Sequence, residues 1–165
     1  MMMMKQRAVR TRILIPILLL ACLVAPGAQI VFEATVVRII DGDSLELQTG
    51  DVVYHARLHG VDTPERGQPW FAEATEELRT LTPVGSRISA EVPDVDPFGR
   101  LVVRIFADGR EVNLLLLEYG AAWHDTRYDQ SDAYAQAQRL ARSLRRGLWT
   151  EPDPIAPWDW RRGER

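Results

Sequence analysis

Three short segments carry side chains that could do chemistry together. Asp41-Gly42-Asp43-Ser44 puts two carboxylates in a tight turn, Arg57-Leu58-His59-Gly60-Val61-Asp62-Thr63-Pro64-Glu65 sets an arginine ahead of two more around a proline-fixed turn, and Phe98-Gly99-Arg100 adds a second arginine. Each alone has an ordinary explanation. Asp-Gly is the strongest short hairpin signal, the second segment could be a surface turn with an Arg-Glu pair, and an arginine opening a strand is often simply solvated. Together they supply acidic oxygens for a hard metal ion, two forked donors for a phosphate and a spare carboxylate for a water proton. That is a complete set for phosphodiester hydrolysis.

The elements that must position these groups are short and β-rich. Segments 31–40, 45–48 and 52–58 are rich in β-branched residues and separated by Asp41-Gly42 and Gly50-Asp51, so they read as strands joined by tight turns. Trp70, Ala74, Leu78 and Leu81 then recur at helical spacing behind Pro69, which predicts a helix over 69–81 with proline at its first position. Strands are expected at 87–92 and 101–106, and a buried helix over 112–119 ended by Gly120. A last helix is capped by Ser131, carries Tyr134, Ala137, Ala141 and Leu144 on one face, and stops at Gly147. Five strands and three helices suit an α+β fold built on a small, five-stranded oligonucleotide-binding-type barrel. The tail 151–165, with Pro152, Pro154, Pro157, Trp158 and Trp160, reads as an extended strap whose tryptophans pack on the domain.

With 165 residues, one domain over 29–150 plus this strap is expected. The first 28 residues differ in kind: Lys5, Arg7, Arg10 and Arg12 precede the apolar run 13–24, and Ala25, Gly27 and Ala28 follow. That order is an export signal, and the run is well short of the roughly 20 residues a membrane-spanning helix needs. Cys22, the only cysteine, sits in Leu19-Leu20-Ala21-Cys22, which resembles a lipobox; it is either a lipidation site or one more apolar residue of the signal core. The domain is thus expected outside the cytoplasm, whether secreted, periplasmic or lipid-anchored, and to meet a membrane only through this segment. No disulfide is available to it.

Loss of the leader takes four positive charges from a formal net charge of −3, leaving about −7. A strongly basic field, the usual footprint of nucleic-acid binders, is therefore absent, and affinity must come from local groups and a metal. Lys5 is the sole lysine, so phosphate contacts in the mature domain would be guanidinium ones.

In order and spacing, Asp43, Arg57, Asp62-Thr63-Pro64-Glu65 and Asp96-Pro97-Phe98-Gly99-Arg100 resemble the staphylococcal nuclease family, as do Val112-Asn113, Gly120-Ala121-Ala122-Trp123, Gly147-Leu148-Trp149 and the ending Pro157-Trp158-Asp159-Trp160-Arg161. The resemblance covers about residues 32–149. It implies a five-stranded barrel with three helices and a monomeric, calcium-dependent nuclease of DNA or RNA that cuts the 5′ P–O bond to leave 3′-phosphates; other divalent ions remain open. Carried over by position, it makes Asp43, Asp62 and the Thr63 carbonyl ligands of Ca2+, places Asp41 just outside them, gives Glu65 the attacking water, and sets Arg57 and Arg100 beside the scissile phosphate. Tyr128 matches one tyrosine of the base pocket, while Thr126 stands at the other. Pro97-Phe98 replaces a Lys-Tyr pair, and the short Arg66-Gly67-Gln68-Pro69 replaces a lysine-rich loop. His124 and Asp125 are expected at the rim. The alternative is a catalytically weak, envelope-tethered nucleic-acid-binding module.

Overall fold

A computed structural model describes residues 30–164; the expectations placed on the export signal and on Cys22 lie outside the described residues. Alternation of apolar and polar residues dictates the main sheet. Strands β1 (Ile30–Ile39), β2 (Ser44–Thr49) and β3 (Val52–Leu58) form an antiparallel meander. It turns Ala34, Val36, Leu45, Leu47, Ala56 and Leu58 inward. After a two-residue strand β4 (Val61–Asp62) and helix α1 (Phe71–Leu81), the hairpin of β5 (Arg87–Val95) and β6 (Leu101–Ala107) adds Ile88, Ala90, Val103 and Ile105 to the same interior. β5 pairs antiparallel with β1, and β6 pairs parallel with β3, so the five strands close on themselves. This is the closed barrel expected from the sequence, with β5 three residues longer than the alternation predicted.

The helices close the barrel and bury its end. A two-residue strand β7 (Arg110–Glu111) leads into α2 (Val112–Tyr119), which is apolar nearly all round and buries Val112, Asn113, Leu116 and Leu117 while its end at Tyr119 is exposed. Its one buried polar side chain, Asn113, accepts from Ile105 N at 3.1 Å and donates to the carbonyls of His59 and Val103, both at 3.0 Å. The helix ends at Gly120 in the left-handed region (φ 71°), where a side chain would meet Arg146 O at 2.3 Å. Strand β8 (Trp123–His124) pairs with β4. Helix α3 (Asp132–Ser143) begins at Ser131, whose hydroxyl accepts from Tyr134 N, and buries Tyr134, Ala137 and Ala141.

Three local expectations change. α1 starts at Phe71, not at Pro69, because Trp70 takes a left-handed conformation (φ 69°) and packs on a second cluster with Trp123, Leu148 and Trp149. Leu144 lies past the end of α3 and is 53% exposed. The tail is not extended throughout: its proline signal is a helix start, and Pro157–Arg161 forms the short helix α4 with Pro157 at its first turn. Its tryptophans do pack, with Trp158 edge-on to Trp123 at 5.6 Å between ring centroids.

Candidate active site

The turn between β1 and β2 delivers Asp43 into the interior. Asp41 Oδ1 accepts from Asp43 N at 3.2 Å, and the Asp43 carbonyl accepts from Leu58 N at 2.8 Å, which ties the turn to the end of β3. Gly42 is required for contact rather than for φ: a Cβ there would lie 2.8 Å from Thr63 Oγ1 and 3.1 Å from Ala74 Cβ. Across the β2–β3 ladder Ser44 faces Arg57, so Asp43 and Arg57 emerge side by side. Arg57 donates through Nη1 to Asp43 Oδ1 at 2.6 Å and through Nη2 to Asp62 Oδ1 at 2.8 Å. Asp62 comes from β4, held at depth by its pairing with Trp123 of β8. Thr63 completes the floor, giving Asp43 Oδ2 its backbone N–H at 2.9 Å and its hydroxyl at 3.1 Å.

Above this floor opens a cleft of about 690 Å³ whose lining includes Asp41, Asp43, Arg57, Thr63, Glu65 and Arg100. Glu65 stands at the turn after Pro64, half exposed, with its N–H donated to Gln68 Oε1 at 2.9 Å. Arg100 enters from the start of β6. It is held by Asp96, which takes Arg100 Nε at 2.6 Å and its backbone N–H at 2.9 Å. The structure therefore gathers Asp41, Asp43, Arg57, Thr63, Glu65 and Arg100 around one cleft, with Asp62 fully buried beneath it and joined to it through Arg57. Tyr128 is at its edge, 70% exposed, with Arg127 over its ring at 5.6 Å. Asp125 lines the rim and pairs with Arg127 through both oxygens, at 2.8 and 2.6 Å. His124 does not sit at the rim; it is buried, with Nε2 at 2.9 Å from Asp129 O.

Two participants were not anticipated. Arg161 of α4 reaches back to the floor, with Nη2 on Asp62 Oδ2 at 2.6 Å, Nη1 on Asp62 Oδ1 at 3.2 Å, and a further bond from Nη1 to Glu65 Oε1. Gln68, buried, clamps the same region: its amide accepts from Glu65 N and donates to Ile155 O at 2.7 Å, fixing the tail beside the site. The proline at the start of α4 was the available signal for the first. Nothing local marks the second.

Electrostatically the floor is a pocket of negative charge wrapped in guanidinium. Burial is the dominant influence on Asp43 and lifts its carboxyl above the usual range, against the pull of Arg57. Burial also works against the Arg57 charge, but Asp43 and Asp62 outweigh it and hold the guanidinium above its ordinary value. With Arg57, Ser44 and Thr63 all donating to it, Asp43 has the surroundings of a carboxylate, and burial makes it one that a further cation would stabilise. Among the described residues no three His, Cys, Asp or Glu side chains stand close enough to hold a metal alone. The oxygens of Asp43 and Asp62 with the Thr63 carbonyl are a hard donor set, which fits a divalent ion completed by water and ligand, provided the arginines yield the carboxylate oxygens they occupy.

Comparison with known proteins gives the same direction. Residues 55–151 match the family model described as staphylococcal nuclease homologue. A probable staphylococcal-like nuclease of Oryza sativa subsp. japonica is 41% identical over 112 residues, covering 68% of this chain and 34% of that protein. An uncharacterized endonuclease of Escherichia coli O157:H7 is 33% identical over 127 residues, with 76% of this chain and 82% of the relative covered. A micrococcal nuclease of Shigella flexneri is 30% identical over 145 residues, covering 81% and 83%. The chain thus spans about a third of the rice relative's length and about four fifths of the two bacterial ones.

Proposed function

Since the chain belongs to the staphylococcal nuclease family, we propose that it is an endonuclease hydrolysing phosphodiester bonds in DNA, RNA or both, dependent on calcium and cutting the 5′ P–O bond to leave 3′-phosphates. The observation that carries this reading is the convergence on one open cleft of the buried Asp43, the partly exposed Glu65 and the guanidinium groups of Arg57 and Arg100, with Asp62 fully buried directly beneath and bonded to Arg57. Asp43, Asp62 and the Thr63 carbonyl would hold the ion, with Asp41 hydrogen-bonded behind them. Bound there, calcium would supply Lewis-acid stabilisation of charge on the phosphate.

The remaining work falls to the chain's own groups. Glu65, exposed enough to meet solvent, orients the attacking water and takes its proton. As the water oxygen bonds to phosphorus and the bond to the 5′ oxygen breaks, charge builds on the equatorial oxygens. Arg57 and Arg100, at the ends of neighbouring strands, donate to those oxygens, and their bonds strengthen as the charge grows. Both forks rest on carboxylates in the free protein, Arg57 on Asp43 and Asp62 and Arg100 on Asp96, so substrate exchanges one anion for another. Tyr128 would offer its exposed ring to a base. Export, with secretion or a lipid on Cys22, and action as a monomer belong to the same proposal; the support for export is the basic, apolar, small-residue order of the leader.

The test is cutting of single-stranded DNA and of RNA by the purified chain, with calcium and with a chelator. Calcium-dependent cutting is expected, falling by about 10²-fold or more in Glu65→Gln and in Arg100→Ala. Among the described residues the ion pair of Arg100 is with Asp96 of its own loop, so its loss should leave folding nearly intact. Equal cutting by wild type and both variants would overturn the proposal, and binding without cutting would favour the envelope-tethered module.

A further inference from the structure

Arg161 has a combination of features that a structural brace does not need. It sits on a fixed platform: Pro157 is buried, Gln68 holds Ile155 O, and Trp158 packs against Trp123. Yet its side chain is 41% exposed and lines the same cleft as Arg57 and Arg100. Its partners are the two carboxylates whose roles in hydrolysis require them to be available, Asp62 as an ion ligand and Glu65 as the acceptor of a proton.

The cleft is also short of cations for a polyanionic ligand. The described residues contain no lysine, and Phe98 at the rim has no polar atom on its side chain. Arg127 is engaged through two nitrogens with Asp125. Arg66 points its guanidinium over the Phe71 ring, 5.7 Å from the centroid. Arg127 reaches Asp62 only at 4.0 Å and keeps its short bonds to Asp125, whereas Arg161 bonds Asp62 at 2.6 Å, so an ion on Asp62 would share that carboxylate's charge and loosen its hold on Arg161.

We propose that Arg161 is a substrate-binding residue supplied by the C-terminal helix, which leaves Asp62 and Glu65 to donate to a phosphate of a single-stranded nucleic acid and thereby frees Glu65 for water. The identity of the ligand rests on the nuclease reading above; the exchange of partners does not. In the free protein the arginine holds the two acids apart from solvent cations, and substrate itself uncovers Glu65. The same side chain thus links occupation of the cleft to readiness of the carboxylate.

The experiment measures binding of a single-stranded phosphorothioate oligonucleotide, which keeps the backbone charge and resists cutting, to the full chain in calcium between about 0.05 and 0.2 M salt. Loss of one phosphate contact should lower the slope of log affinity against log salt by about 0.7 in Arg161→Ala and Arg161→Gln, weaken binding about five-fold near ~0.1 M, and spare the slope in Arg161→Lys. Calcium affinity by calorimetry should be equal or higher in Arg161→Ala, because Asp62 loses a competing cation. An unchanged slope would overturn the proposal. So would a loss of calcium affinity that accounts for the whole loss of oligonucleotide affinity, which would make Arg161 a support for Asp62. Cutting of unmodified DNA by the wild type reports separately: a protein that binds but does not cut sinks the nuclease reading and leaves the slope to decide Arg161, whereas one that binds nothing sinks both.

Discussion

Replacing Arg57 with alanine removes the two donors that Asp43 and Asp62 share, and its first effect should be on folding rather than on chemistry. Both aspartates are buried, with 3% and 0% of their surface exposed. Removing one partner from a buried ion pair costs about 3–5 kcal/mol. Here Arg57 is a quarter exposed, Thr63 and Ser44 still donate to Asp43, and Arg161 still holds Asp62, so the discounted loss is about 2–3 kcal/mol. For a domain of this size that corresponds to a fall in Tm of roughly 10 °C. The assay is thermal unfolding of wild type and Arg57→Ala in chelator and again in saturating calcium. An ion bound to the same carboxylates would replace the lost charge, so the gap should narrow in calcium. Equal melting of the two proteins in chelator, or a gap that calcium leaves unchanged, would refute the reasoning. The practical point is that lost activity in Arg57→Ala reports on catalysis only where the protein is shown to be folded.

Gly42→Ala tests the close approach beneath the site: with a methyl 2.8 Å from Thr63 Oγ1, the turn must shift and pull Thr63 off Asp43. A loss of about 1–3 kcal/mol in urea unfolding is expected, and wild-type stability would show that the turn has slack. Asp129 gives a pH test. Burial favours its neutral form, but the Ser131 donors and Arg104 prevail and hold its carboxyl at about 2 against an ordinary 3.8. A depressed folded value stabilises above the unfolded one and is lost as pH falls through the folded one. Asp129→Asn should therefore cost about 2 kcal/mol at neutral pH, with the difference from wild type shrinking between about pH 4 and pH 2; a difference constant across that range would contradict the assignment.

Much of the fold was legible because its signals are local. The hydroxyl of Ser131, the left-handed Gly120 and the alternation through β2, β3 and β6 depend on residues within a few positions, and each does in the structure what its neighbours require. The groups expected at the site also converge, since Asp43, Arg57 and Asp62 are brought together by a hairpin and the next short strand. What escaped depends on distant packing. Trp70 leaves helical geometry to join Trp123 and Trp149, and His124 turns inward to Asp129. Arg161 meets Asp62 across 99 positions, through a helix too short to show a period.

The closure of the barrel sets when these groups can first work together. Asp43, Arg57 and Asp62 belong to the meander and the strand after it, whereas Arg100 heads a separate hairpin that joins them only through the β1–β5 and β3–β6 seams. Ala56 and Leu101 pair across 45 positions and Ile30 and Val92 across 62, so loop-closure entropy delays both seams relative to the hairpins they join. A chain still folding holds its acidic half early and its second guanidinium elsewhere. If the proposed nuclease reading holds, strand cleavage would have to wait for that closure, and unfinished molecules would be harmless to the nucleic acid around them.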